Sequence, residues 1–250
     1  MTRYWIAAAM ALLTAATPAL AQTDAQRQQW AREDEERLHT DWSHLKRYQA
    51  ANAALVPTPG HPRIVFIGDS ITQGWFDRVP AFFTPGRIGR GISGQTTPQM
   101  LVRFRQDVID LKPDVVQIMA GTNDIASATG PMTVEQSQAT IMSMAELARA
   151  HGIRVILASI PPADHFEWRP GLVTAPRIAI MNAWLRDYAA RTGATYADYW
   201  RVLHDGDALR ADYGSDGVHP NEAGYAAMAP VAEAAIKAAL AKPAPKAIAR

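Results

Sequence analysis

Short apolar runs recur along the chain, separated by longer stretches whose apolar residues return every three or four positions. Residues 63–67, Arg-Ile-Val-Phe-Ile, make a short run of the kind that a strand buried on both faces requires. A weaker strand is predicted over 86–92, a third over 115–120, a fourth over 154–160 and a fifth over 194–199. Helical spacing covers 98–111 with Pro98 at its start, 134–150 with Gly152 just past its end, and 176–190 with Gly193 as its stop. An Ala-rich helix is expected over 222–241, with a frayed tail after Pro243. Strands alternating with helices predict a parallel sheet covered on both faces, and in such sheets ligands bind beyond the carboxyl ends of the strands. Chemistry is therefore expected just after the first three strands.

The ends of the chain read differently. Arg3 precedes an apolar run from Trp5 to Ala16, too short to span a bilayer comfortably, and Ala19-Leu20-Ala21 fits a small-x-small cleavage site. Residues 1–21 are thus expected to be a secretory signal, an uncleaved anchor being the less favoured alternative. Residues 22–60 form an N-terminal helical extension. In it Trp30, Leu38, Trp42, Leu45 and Tyr48 fall at near-helical spacing, which predicts a helix with its aromatic face packed on the domain. His39 and His44 stand five apart there, which is not the spacing of a metal pair on one helix face. Pro57, Pro59, Gly60 and Pro62 then break the chain before a single domain over 61–242, followed by a tail over 243–250.

Composition narrows the partners. Without the first 21 residues the chain carries 24 basic and 24 acidic side chains, so no global field would recruit nucleic acid or an anionic membrane. No further stretch is long and apolar enough to span a membrane once the signal is removed. Zero cysteines exclude disulfides, thiolate catalysis and a lipidated cysteine. The expected compartment is the periplasm first and the surrounding medium second.

Three groups of residues fall where the sheet rule asks for them. After the first strand comes Gly68-Asp69-Ser70-Ile71-Thr72, with Gln73-Gly74-Trp75 beyond. A serine there has an exposed hydroxyl and backbone N–H groups nearby, which suits a nucleophile whose product is an oxyanion. Alone, it reads equally as a helix N-cap. After the second strand comes Gly91-Ile92-Ser93-Gly94-Gln95-Thr96-Thr97, and after the third Gly121-Thr122-Asn123-Asp124. Both could be turn chemistry, yet Gly94 can offer an unobstructed N–H and Asn123 a side-chain amide. Near the C-terminus, Asp216 stands three residues before His219, close enough on one loop to hold the imidazole in one tautomer.

These four blocks, in this order over 68–219, resemble those of the GDSL/SGNH hydrolases. The resemblance is strongest to the bacterial acylhydrolases, which include lysophospholipase-like and acetyl esterases. It implies a three-layer α/β/α flavodoxin-like fold with a five-stranded parallel sheet. It also implies a Ser70–His219–Asp216 triad and an oxyanion hole from the N–H groups of Ser70 and Gly94 with the Asn123 amide. One position departs from a common family pattern: Gln95 follows Gly94 where many relatives have Asp. The Gly-x-Ser-x-Gly elbow of the α/β-hydrolases is absent, since position 72 is Thr.

The implied activity is cleavage of carboxylic esters carrying short acyl or acetyl groups, with a small-molecule or glycan ester as substrate and with no metal or organic cofactor. The alternatives are an O-acetyltransferase acting on glycans and a catalytically silent carbohydrate-binding protein. The segment 161–171 follows the fourth strand, and its His165 and Trp168 are candidate substrate contacts. A wall of the site and a self-packed surface loop are equally good readings of it. Trp75 is expected to be a packing residue.

Overall fold

A computed structural model describes residues 24–214 and 216–248. The expected signal and its cleavage site lie outside the described residues, and no described helix is long and apolar enough to cross a membrane. The chain divides into two units at residue 40. The described part of the first is the polar helix α1 (Asp24–Thr40), where Glu35 and His39 pair one turn apart at 3.0 Å.

The second unit holds the sheet. Its strands are β1 (Ile64–Gly68), β2 (Arg87–Gly91), β3 (Val115–Met119), β4 (Arg154–Ala158) and β5 (Thr195–Ala197), all parallel in the order β2-β1-β3-β4-β5. Its helices are α2 (Gln49–Ala53), α3 (Ser70–Arg78), α4 (Thr97–Asp107), the short α5 (Thr122–Ile125), α6 (Val134–Ala150), α7 (Ala175–Thr192), the short α8 (Trp200–Leu203) and α9 (Glu222–Ala241). The chain runs outward from β1 to β2, then crosses back over β1 to β3. Right-handed crossovers therefore place α3 on one face, where α9 joins it, while α4, α6 and α7 line the other. This is the expected three-layer α/β/α architecture. Its topological switch point, where a crevice opens for a ligand, lies at the carboxyl ends of β1 and β3.

The local reasons for these elements are visible. β1 and β3 are buried at every position, as continuous apolar strands must be in a sheet covered on both sides. Helices α4 and α6 each begin with a capping box, Thr96 with Gln99 and Thr133 with Gln136, and α7 ends at Gly193. Trp75 of α3 is fully buried; its ring stacks at 4.4 Å on Phe82 and at 5.7 Å on Tyr225 of α9. That aromatic cluster locks α3 against the sheet, so Trp75 is a packing residue.

Three expectations are corrected. The helix expected to carry Trp30 through Tyr48 stops at Thr40, because the Asp41 carboxylate takes the N–H groups of Leu45 and Lys46 and turns the chain. Among the described side chains of its apolar set, Leu38, Trp42 and Leu45 are exposed, while Tyr48 anchors to the sheet, its hydroxyl donating to the Gly91 carbonyl. The tail after Pro243 is held, since the Ile248 N–H donates to the Ala150 carbonyl at 2.9 Å. A two-residue antiparallel hairpin, His204–Asp205 with Ala208–Leu209, is an addition that so short a run could not announce.

Candidate active site

Ser70 opens α3 directly beyond β1. The Asp69 side chain accepts the Ile71 N–H at 3.0 Å, capping the helix, and among the described residues the Ser70 N–H of the same turn has no hydrogen-bond partner. From α9, the Tyr225 hydroxyl donates to the Ile71 carbonyl at 2.9 Å and ties the same turn down from the side.

The loops after β2 and β3 meet beside it. Gly94 sits at φ +77°, a left-handed conformation natural to glycine, and among the described residues its N–H has no protein partner. Asn123, in the first turn of α5, donates one amide hydrogen to the Gln95 carbonyl at 3.1 Å and keeps the other. The buried Asp124 carboxylate accepts the Thr97 N–H at 3.0 Å, the Thr97 hydroxyl at 2.5 Å and the Ser137 hydroxyl at 3.1 Å, which fixes the α5 turn to α4 and α6. Burial pushes the Asp124 carboxyl up, and those three donors oppose the push.

The fourth block arrives on the loop between the Ala208–Leu209 strand of the hairpin and α9. Asp216 Oδ1 accepts the N–H groups of Val218 at 3.0 Å and His219 at 2.8 Å, so the aspartate folds the loop on which the histidine stands. Its Oδ2 lies 2.6 Å from His219 Nδ1. Beyond the ring, His219 Nε2 lies 2.9 Å from Ser70 Oγ. An ionised Asp216 can only accept, so Nδ1 carries the proton and Nε2 is left as an acceptor for the serine O–H.

The electrostatics fit that order. Partial burial alone would raise the Asp216 carboxyl, but the ring and two backbone N–H groups hold it well below the usual carboxylate range. The hydrogen bond to Asp216 raises His219 above its ordinary 6.5, against the opposing effect of burial. Burial pushes Asp69 up to about 6, its cap bond from Ile71 and the nearby His219 acting the other way. A hydroxyl facing an imidazole whose other nitrogen is held by a carboxylate is an arrangement able to activate a serine.

The segment 161–171 packs on the loop after β3 and reaches the His219 ring. Phe166 is buried, and Arg169 donates from Nε to the Ala126 carbonyl and from Nη2 to that of Ser127, both at 2.8 Å. Trp168 stacks on Phe166 at 4.9 Å, is 46% exposed, and holds its ring 6.2 Å from that of His219. It flanks a shallow groove of about 600 Å³, bounded on its other side by Ala126, Ser127 and Gly130. His165 pairs with Asp164 at 2.7 Å and packs its ring against Gly217 of the His219 loop. Among the described residues no three His, Asp or Glu side chains gather as a metal site.

The model of the GDSL-like lipase/acylhydrolase family matches residues 66–227. The chain belongs to that family. Among solved structures, a GDSL-like lipase from Bacteroides thetaiotaomicron is 44% identical with a TM-score of 0.75, over 79% of this chain and 98% of that one. Among curated proteins, an acetylxylan esterase from Xylanibacter ruminicola is 26% identical over 222 residues, 73% of this chain and 45% of its own length. An uncharacterized lipoprotein, YqeF, of Bacillus subtilis is 34% identical over 121 residues, 41% of this chain and 50% of its own. The chain thus spans about half the length of the curated relatives it matches.

Within this member of the GDSL-like family several residues that support the candidate site carried no signal of their own. Tyr225 acts from 154 positions away through one hydroxyl, and Arg169 through its grip on the loop after β3. Asp69 did carry one, as the N-cap type immediately before a helix.

Proposed function

We propose that this protein is a serine ester hydrolase. Ser70 is the nucleophile, His219 the general base and acid, and Asp216 the group that orients and steadies the imidazole. The observation that carries the reading is the unbroken contact chain Ser70 Oγ–His219 Nε2 at 2.9 Å and His219 Nδ1–Asp216 Oδ2 at 2.6 Å. His219 takes the Ser70 proton as Oγ bonds to the ester carbonyl carbon. The oxyanion is received by the N–H groups of Ser70 and Gly94 and by the second Asn123 amide hydrogen. The carbon–oxygen bond of the ester then breaks, His219 returns the proton to the departing alcohol, and water releases the acid from Ser70 by the same steps in reverse roles.

Short acyl groups on a carbohydrate are the substrate class proposed. An exposed indole standing beside the base suits the apolar face of a sugar ring, the groove next to it is open and shallow, and one relative is an acetylxylan esterase. Export to the periplasm or medium, with the signal over residues 1–21, is part of the same proposal.

The test is hydrolysis of p-nitrophenyl esters from C2 to C12, together with acetate release from acetylated xylo-oligosaccharides, by wild type and Ser70→Ala. Activity on the short esters and the oligosaccharide that vanishes with Ser70 is the expected result. A folded wild type that cleaves nothing in either series, or a Ser70→Ala variant that retains its rate, sinks the reading.

A further inference from the structure

The Gln95 side chain leads to a buried cation beneath the proposed oxyanion hole. Arg103 and Asp107, one turn apart on α4, are both 0% exposed and pair at 3.1 Å. Taking a guanidinium wholly out of water is costly unless every direction of its fork is used. Here Nη1 goes to Asp107, Nη2 donates to the Gly68 carbonyl at 3.1 Å, and Nε donates to Gln95 Oε1 at 2.5 Å. Gly68 is the last residue of β1, two before Ser70. Gln95 follows Gly94, and its backbone carbonyl holds the Asn123 amide. The Gln95 amide also donates to the Ser43 carbonyl at 3.0 Å, and Asn52 donates to Asp107 Oδ1 at 2.7 Å while accepting from Arg90 Nε at 2.8 Å.

We infer that Gln95, clamped by Arg103, is a positioning residue that sets the aim of the Asn123 amide relative to Ser70. The inference rests on the oxyanion reading given above. A neutral amide is suited to this position because it does two jobs with one planar group: its oxygen satisfies Nε, and its nitrogen reaches the Ser43 carbonyl. A carboxylate there could accept from Arg103 but would face the Ser43 carbonyl with a like partial charge. Neither Gln95 nor Arg103 touches substrate in this arrangement; both act through the peptide units they hold.

The experiment is a double-mutant cycle on the full chain, reading kcat and KM for p-nitrophenyl acetate. Gln95→Leu keeps the carbonyl that binds Asn123 but removes both side-chain anchors. Loosening a donor by a fraction of an ångström to 1 Å is expected to lower kcat by about 10- to 100-fold, with KM within about twofold. Because Gln95 acts through Asn123, the loss should be largely absent in an Asn123→Ala background. Arg103→Lys keeps the charge opposite Asp107 but lacks the fork that reaches Gln95 and Gly68 together, so it should show the same kcat-only loss should Gln95→Leu fail to fold. Wild-type kcat in either folded variant, or a loss that multiplies in full with that of Asn123→Ala, overturns the positioning role while Ser70→Ala and Asn123→Ala still uphold the hydrolase. An inactive wild type overturns both, and that result is distinguishable from the first.

Discussion

Gly91 is where β2 comes closest to the Ser70 turn, and a single methyl group there measures how tightly the two are fitted. A Cβ built on Gly91 would stand 2.1 Å from the Gln73 nitrogen, 2.6 Å from the Thr72 carbonyl carbon and 2.8 Å from the Asp69 carbonyl oxygen. All three are backbone atoms of the first turn of α3 and its N-cap, so no side chain can swing aside. Ordinary contact begins near 3.4 Å, and α3 must therefore retreat by about 1.3 Å. The turn carries Ser70, whose hydroxyl must stay within hydrogen-bond reach of His219 Nε2, and a displacement of that order costs ~100-fold in rate. Overpacking a rigid site adds about 3 kcal/mol of destabilisation, roughly 6–12 °C in Tm for a chain of this size. The assay is Gly91→Ala against wild type by thermal unfolding and by initial rates with p-nitrophenyl acetate, taken well below either Tm. Gly94→Ala is the internal comparison: its methyl meets nothing within 4 Å, and only the positive φ penalises it, by about 1–2 kcal/mol. A Gly91→Ala protein with kcat within threefold of wild type and Tm within about 2 °C would refute the argument that this strand crossing sets the serine's position.

The site's titrations give opposite signs for rate and stability. kcat/KM should rise with pH through the His219 pKa, above 6.5, and Asp216→Asn should move that limb to lower pH while its plateau falls by up to ~10⁴-fold; a limb that does not move refutes the assigned pair. Because His219 is raised in the folded protein, its contribution to stability is full below 6.5 and is lost as pH climbs through the folded value, whereas that of the depressed Asp216 is full above 3.8 and is lost as the pH falls from there through its lower folded value. Asp69, raised from 3.8 to about 6, makes stability fall as pH rises across that interval, and Asp69→Asn, which keeps the capping oxygen, should flatten the denaturation midpoint there. Trp168→Ala should raise KM for an acetylated xylo-oligosaccharide by roughly 2- to 10-fold, the size of one aromatic stacking contact, and leave p-nitrophenyl acetate turnover nearly unchanged; equal losses on both substrates would remove the indole from sugar recognition. Arg103→Met should cost about 3–5 kcal/mol by leaving Asp107 buried and unpaired, and adding Asp107→Leu should restore much of it, as read by urea midpoints.

What the sequence made legible was what a residue does by its own type. Buried parallel strands must be runs of apolar residues, so β1, β3 and β4 stood out, and the turn and cap residues after β1, β2 and β3 marked the segments that carry Ser70, Gly94 and Asn123. The Asp216–His219 spacing was readable for the same reason, since three residues are enough for one carboxylate to fold the loop and hold the ring at once. The segment from 41 to 55 failed where spacing was taken for packing: Asp41 captures two N–H groups that a continuing helix would need, and Trp42 turns outward. The tail failed because its anchor, the Ala150 carbonyl, belongs to a helix almost 100 residues earlier. Arg103 is the most instructive case. On α4 it reads as one basic residue of a polar pattern, and only the return of β1 beside that helix puts the Gly68 carbonyl and the Gln95 amide on its fork. The amide at Gln95 is explained by that same guanidinium, which its oxygen satisfies. A residue chosen to complete a buried fork cannot be judged from its neighbours in the chain, and the Gln95→Leu cycle tests how much of the oxyanion geometry depends on it.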